Sequence, residues 1–312
     1  MPAQLIVDSK TGNSAGISRR DDQVLTKNGY FFVCQKEAKV YWFNNQLICI
    51  SDLGMSKWFR DNINKSKYYL IYDNDKDRLI ITNKDSWTLS FSLKTNSWIS
   101  YHSYLPNNYF SVYNKLYSSV DNKIYKHNKI GEYQKFYGNI YPYIVEYVSN
   151  ENPLITKIFD HIKILTTAYK YNSDLNSYVE ERFKTFNKAI IYNTRQCTNI
   201  LNLKVKDLSD EQEYLLEQIQ DLNNNTFIID RNEKDWSLND IRDMVTDYSL
   251  PMFNEQNYDK IINEKAFEGE KDWYDLESLR DKYLVVRLIF DNFADVKLVL
   301  NFTSDYETIS QY

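Results

Sequence analysis

Between Gly29 and Tyr147 the chain is cut into short extended segments by polar turns, and this rhythm limits the possible folds more than any other feature. Tyr30–Val33, Val40–Phe43, Leu47–Ser51, Tyr68–Tyr72, Leu79–Thr82, Thr88–Ser92, Trp98–Tyr101, Phe110–Tyr113, Lys115–Ser118 and Lys123–Lys126 each read as a strand. They are too short for helices and rich in β-branched and aromatic residues. Asn44-Asn45, Asp73–Arg78 and Leu93–Ser97 have the length and residue types of hairpin turns. Leu53–Asn62 is the one amphipathic helical piece among them, with Ser51 or Asp52 as its expected N-cap.

The chain makes these turns with little glycine: 7 Gly and 5 Pro occur in 312 residues. Asn and Asp take over, because their short side chains bond the local backbone and tolerate the left-handed conformation. Aromatic residues make up 16% of the chain, 27 of them Tyr, and such side chains fit the half-buried face of a pleated sheet. The expected fold is therefore mainly β with minor α. Residues 1–28 read as an N-terminal arm and 29–129 as a unit of hairpins, either a partial β-propeller or another meander. A complete propeller needs at least ~16 strands, and this unit supplies about ten.

Past Tyr147 the texture changes. Ile158–Tyr169, Ala189–Tyr192 and Thr198–Val205 read as extended. Ser209 to Gln212 forms a capping box ahead of an apolar stripe, Tyr214, Leu215, Ile219 and Leu222, which predicts a helix. Ser237 caps a second expected helix over Leu238–Thr246, and 254–281 reads as acidic loop with a short helix. Two strands close the chain, Tyr283–Phe290 and Val296–Phe302, the first expected to be buried on both faces. Residues 130–312 thus read as a β-sheet domain with inserted helices.

The reactive groups are sparse. No phosphate-binding glycine loop, nucleophile elbow, zinc-protease helix or dinucleotide fingerprint is present. Cys34, Cys49 and Cys197 lack metal-ligand spacing and read as reduced thiols. His102 and Ser103 are neighbours, but adjacent strand residues point to opposite faces and cannot bond each other. Asp73, Asp75 and Asp77 imitate the first half of a calcium loop, yet Arg78 and Lys84 stand where its glycine and closing glutamate belong. The spacing of Glu132, Glu146, Asp160, Glu180 and Glu181 selects no hydrolytic pair. No catalytic residue, cofactor or metal is therefore expected. Trp87, Phe91, Trp98, Tyr101, Tyr104, Tyr109 and Phe110 are the candidates for core or inter-subunit packing. The chain carries neither a signal-peptide pattern nor an apolar stretch long enough to span a membrane. Residues 1–150 hold 19 basic against 13 acidic side chains and 151–312 hold 19 against 30, a polarity that suits head-to-tail contact between copies. The absence of a dense basic run argues against tight DNA binding.

The tracts Thr88–Pro106 and Tyr109–Ser118 resemble a segment of the tail nozzle, or muzzle, family of crAss-like bacteriophages. Asp235–Asp243 is similar to a helix start of that family, and Asp281–Asp291 to its closing strand, with Asp281 where glycine is common. The matches keep their order between Leu53 and Phe290. The resemblance implies a virion structural protein of a podovirus-type tail, made in the host bacterial cytoplasm. It would form part of a six-fold ring that closes the portal channel and conducts DNA during genome ejection. Implied partners are further copies, hub or portal-proximal ring proteins, a chain supplying missing propeller strands, and transiently the phage DNA. Family members are longer, so a split, processed or partial form is expected. The acidic segment 254–281 is expected to line a channel that repels DNA. Two other readings of the residues stand beside this one. The Tyr and Trp excess suits a carbohydrate-binding receptor-recognition module, and the carboxylates leave a polysaccharide hydrolase open.

Overall fold

The computed structural model describes residues 15–198, 200–205, 220–221, 226–232, 235–244, 275–291 and 295–309. It is mostly β, built from several antiparallel sheets, and falls into two compact units, Met1–Lys129 and Ile130–Tyr312.

In the first unit every segment expected to be extended contributes a strand, although Leu47–Ser51 is extended only as far as Cys49. The first sheet is a four-stranded meander of β1 (Gln23–Thr26), β2 (Gly29–Cys34), β3 (Lys39–Asn44) and β4 (Gln46–Cys49). A second is made of β5 (Tyr68–Asp73), β6 (Arg78–Asn83), β7 (Trp87–Ser92) and β8 (Ser97–His102). The third has three strands, β9 (Asn108–Val112), β10 (Lys115–Val120) and β11 (Lys123–Lys126). Strand β1 lies inside the stretch read as an arm; polar Gln23 and Thr26 bound only Val24 and Leu25, too little apolar pattern to announce a strand.

The turns explain how a glycine-poor chain makes so many hairpins. Tyr113-Asn114 and Asp121-Asn122 place both central residues at positive φ, between 48° and 61°, as a two-residue primed turn requires. Asn45, Asp77 and Asn96 supply single left-handed residues to three other hairpins. Helix α1 starts later than expected, spanning Ser56–Asn62 after a 3-10 turn over Ile50–Asp52. Ser51 does not cap it: the hydroxyl is buried and accepts the Val40 N–H. Asp52 instead accepts the Ser56 hydroxyl, at 3.0 Å, one turn ahead of the helix. A helix this short owes its stability to packing, and Phe59 is fully buried.

In the second unit the short pair β12 (Lys135–Phe136) and β13 (Asn139–Ile140) precedes a larger sheet. That sheet runs through β14 (Tyr143–Ser149), β15 (Lys157–Asn172), β16 (Ser177–Glu180), β17 (Lys188–Tyr192), β18 (Leu201–Val205), β19 (Gln220–Asp221), β20 (Thr226–Asn232), β21 (Asp235–Asn239), β22 (Arg280–Asp281), β23 (Leu284–Phe290) and β24 (Val296–Ile309). Its order is β14-β23-β17-β18-β20-β21-β15-β16, with β24 and β22 also on β15 and β19 on β20. Among the described residues it does not close into a barrel. Trp236, Phe159, Phe227 and Phe290 anchor its core.

Two expectations change here. Leu238 lies in strand β21, not at the head of a helix. Trp236 and Leu238 alternate into the core with a period of two, and the ladders to β15 and β20 outweigh the local capping signal. Strand β23 is fully buried on one face only: Leu284, Val286, Leu288 and Phe290 are inside, while Val285, Arg287 and Ile289 are half-buried. The capping-box helix lies outside the described residues except for Gln220 and Asp221, which pair with β20. Most of 254–281 also lies outside them.

Candidate functional site

Strand β5 runs beside β1 on one side and β9 on the other, so the first strands of the three meanders are neighbours and the sheets stack in series. Cross-strand partners share a face, which sorts the side chains. One face of the second sheet carries Leu70, Leu79, Ile81, Leu89 and Phe91, packed with Phe31, Val33 and Val40 of the first sheet and with Phe59 of α1. This seam is mainly apolar, with buried Asp22 accepting the Tyr68 N–H and Asn28 donating to the Tyr72 hydroxyl. The opposite face carries Asp73, Arg78, Thr82, Thr88, Ser90 and His102, and it meets the third sheet through hydroxyls and imidazoles.

The polar seam is closely bonded. Thr82 shares hydrogen bonds with Thr88, at 2.8 Å, and with the Tyr109 hydroxyl, at 2.7 Å. Thr88 donates to the Tyr104 carbonyl, at 2.6 Å. His102 Nε2 lies 3.0 Å from Ser90 Oγ, and His127 Nε2 lies 2.6 Å from Ser118 Oγ. Burial depresses both imidazoles: His102 falls to about 3, aided by Arg78 and His127, and His127 to about 4, although Asp73 pulls it back. The serines are fully buried, so each Ser–His pair ties strands together with no path for a substrate to the hydroxyl.

The stack ends on two aromatic faces. On the third sheet Phe110 stacks on Tyr117, centroids 5.5 Å apart and planes 6° from parallel, with exposed Val112 and Ile124 on the same side. On the first sheet Leu25, Tyr30, Phe43 and Leu47 lie on one face beside buried Phe32 and Tyr41. The seven candidate aromatics therefore separate. Trp87 and Phe91 are core, and Trp98 is half-buried, its indole N–H donating to the Ile50 carbonyl. Tyr104 and Tyr109 fill the polar seam. Phe110 belongs to an end face, and Tyr101, 63% exposed, points outward with its ring edge on Trp58. The Ser–His pairs escaped sequence reading because the partners are 12 and 9 residues apart and meet only through strand register.

The other candidate chemistry is dispersed. Asp73 is held by Arg78 and Asn128, Asp75 by Lys115, and Asp77 by the Tyr72 hydroxyl, so the three carboxylates do not converge on one point. Glu146 pairs with Arg287 at 2.6 Å, Glu180 with Arg231 at 3.8 Å and Glu132 with Lys135 at 3.9 Å. Each carboxylate faces its own cation. The three cysteines are free thiols, two of them buried.

These meanders and the large open sheet define a mainly β scaffold in which, among the described residues, no carboxylates, histidines or thiols converge on an open site. Comparison with known proteins narrows this. Residues 131–243 match the family model described as the Crassvirus muzzle protein C-terminal domain. Over 205 residues, 61% of this chain, the sequence is 23% identical to the "Muzzle protein" of Bacteroides phage crAss001. The aligned part amounts to 14% of that relative's length. The chain is thus similar to the C-terminal part of a crAss-like muzzle protein, as the Trp236 tract had indicated; the closing strand, Asp281–Asp291, lies outside the residues that the family model matches. The family match begins at Gly131, so the hairpin tract Thr88–Ser118 lies outside it.

Proposed function

We propose that this chain is a non-enzymatic virion structural protein of a short-tailed phage. It contributes to the tail nozzle that closes the portal channel and conducts DNA during ejection, and it works as a ring of copies, six in the simplest arrangement. The observation that carries this reading is the match of residues 131–243 to the muzzle C-terminal domain. The dispersed carboxylates and sealed Ser–His pairs support a scaffold role. So do the two aromatic end faces of the three-sheet stack, which suit further sheets supplied by another chain and completing a propeller. Hub or portal-proximal ring proteins are the other partners in this reading. Electron microscopy of purified particles tests it: density for this chain in a ring below the portal is expected. Its absence from particles would refute the assignment.

One observation favours a second reading, a carbohydrate-binding module. A cavity of about 430 Å³ is lined by Tyr30, Tyr69 and Tyr109 together with Arg20, Asp21, Gln23 and Asn108 and aliphatic Val24, Leu25 and Leu70, a mixture of aromatic and polar groups that suits a sugar. Glycan-array binding that disappears in Tyr69→Ala would establish it. An array with no signal would remove it.

A further inference from the structure

The two seams of the stack differ in kind, and the polar one holds groups that a packing role does not need. His102 on β8 and His127 just after β11 approach the same ring, that of buried Tyr104, with centroids at 5.1 and 5.6 Å. Each ring bonds a fully buried serine, one in the second sheet and one in the third. A neutral imidazole and a hydroxyl satisfy each other in either direction of donation, whereas an imidazolium is a donor at both nitrogens and carries charge. The charged groups facing the imidazoles are Arg78 from β6 and Asp73 from β5. Strands β7, β9 and β10 present Thr88, Ser90, Tyr109, Leu116 and Ser118 to the seam, and the Lys115–Asp75 ion pair sits half-exposed at its rim. The Asp73 carboxylate is already engaged by Arg78, at 3.2 Å, and by Asn128, at 3.2 Å. Protonating both rings would put three cations around one occupied carboxylate inside a buried seam, and an uncompensated buried charge is released rather than kept.

We propose that the seam between the second and third sheets is an acid-operated latch: protonation of His102 and His127 opens it, freeing β9–β11 and uncovering Tyr104, Tyr109 and Leu116. The direction of linkage follows from the depressed imidazoles. The closed seam binds fewer protons than the open one, so closure is fully favoured above the ordinary histidine value of about 6.5 and weakens as pH falls from there toward the folded values. At pH 5 each ring shifts the opening equilibrium by about 30-fold, and the pair by roughly 10²–10³-fold.

Hydrogen exchange of the whole chain at pH 7.5 and pH 5.0, with labelling times scaled for intrinsic exchange, reads this directly. Amides of 108–126 are expected to lose protection by roughly 10²–10³-fold at pH 5.0, relative to those of 29–49. The double variant His102→Gln and His127→Gln, whose amides can still bond the serines, is expected to keep protection at pH 5.0. Unchanged protection of 108–126 in the natural chain would overturn the latch, as would equal loss in the double variant. If that variant does not fold, imidazole proton shifts of the natural chain decide the matter. Titration of both rings near 6.5 in a chain that stays fully structured would refute the proposal.

Discussion

Trp87 and Tyr101 were equivalent as candidate assembly aromatics in the sequence, and the structure gives them opposite consequences on truncation. Trp87 is 8% exposed, and its ring contacts Trp58, Phe59 and Tyr68 with centroids 5.1, 6.1 and 5.8 Å away. Its indole N–H donates to the Asn62 carbonyl, at 3.2 Å, tying β7 to the end of α1. Trp87→Ala therefore removes a buried indole and leaves that carbonyl without its donor. Core truncations of this size cost about 3–5 kcal/mol, and the lost hydrogen bond adds about 1 kcal/mol at most. With about 4 kcal/mol as the total, the melting temperature of the first unit should fall by roughly 15 °C. Tyr101→Ala gives up one edge contact with Trp58 and should cost about 1 kcal/mol or less. Tryptophan fluorescence during thermal unfolding is the suitable assay, because Trp42, Trp58, Trp87 and Trp98, four of the chain's 6 tryptophans, lie in that unit. A Trp87→Ala protein melting within a few degrees of the natural chain would refute the assignment of this residue to the core. Equal losses from the two substitutions would refute the sorting of the aromatics.

Three further outcomes are expected. Gly29→Ala should be severely destabilising: at φ +120° its Cβ would meet the Phe43 carbonyl oxygen deep inside contact distance and Trp42 Nε1 at 2.9 Å. Gly54→Ala meets nothing within 4 Å and should cost only the left-handed strain of about 1 kcal/mol, a contrast that urea titration resolves. EDTA should leave the melting curve unmoved, because Asp73, Asp75 and Asp77 are held by separate protein partners; a drop of several degrees would show that the loop binds a cation. Burial would raise the Asp291 carboxyl, but Lys188 at 2.6 Å and Asn187 outweigh it and hold it below its ordinary value. That contribution is present above about pH 4 and is lost as pH falls through the folded value, so Asp291→Asn should flatten the acid limb of the second unit's stability curve.

Ten of the first unit's eleven strands were legible, because runs of β-branched and aromatic residues lie between polar turns; β1, with only Val24 and Leu25 inside it, was not. Leu238 misled for the opposite reason. Ser237 supplies a good cap locally, but Trp236 and Leu238 gain more by burial between neighbouring β20 and β15, the latter about 70 residues away in sequence. The polar seam was illegible for the same physical cause. His102 and His127 sit in ordinary strand surroundings, and nothing short of the register Ser118↔Tyr109 and Thr88↔His102 brings them to Tyr104. Periodicity reports which face a residue takes, and not what that face meets.

That distinction bears on how the stack can be extended. The seam between the first two sheets is mainly apolar and specifies its partner weakly, since many apolar faces of similar size fit it; its buried carboxylate, Asp22, accepts the Tyr68 N–H. The seam between the second and third sheets is specific, because Thr82 must meet the Tyr109 hydroxyl and Asp73 must meet Asn128, and it is conditional on protonation. The two end faces carry apolar side chains, Leu25, Tyr30, Phe43 and Leu47 at one end and Phe110, Val112, Tyr117 and Ile124 at the other, the latter interspersed with Asn108, Lys115, Ser119 and Lys126. If a neighbouring chain completes the stack, it should therefore bury these faces through shape and area, leaving the third sheet held firmly on its outer side and acid-sensitively on its inner one. A charge introduced at Ile124, as Ile124→Glu, separates the cases: it should weaken assembly while leaving the monomer's melting temperature within about 2 °C, because Ile124 is 69% exposed. Full assembly in that variant would mean that the end face of the third sheet is not where the neighbour sits.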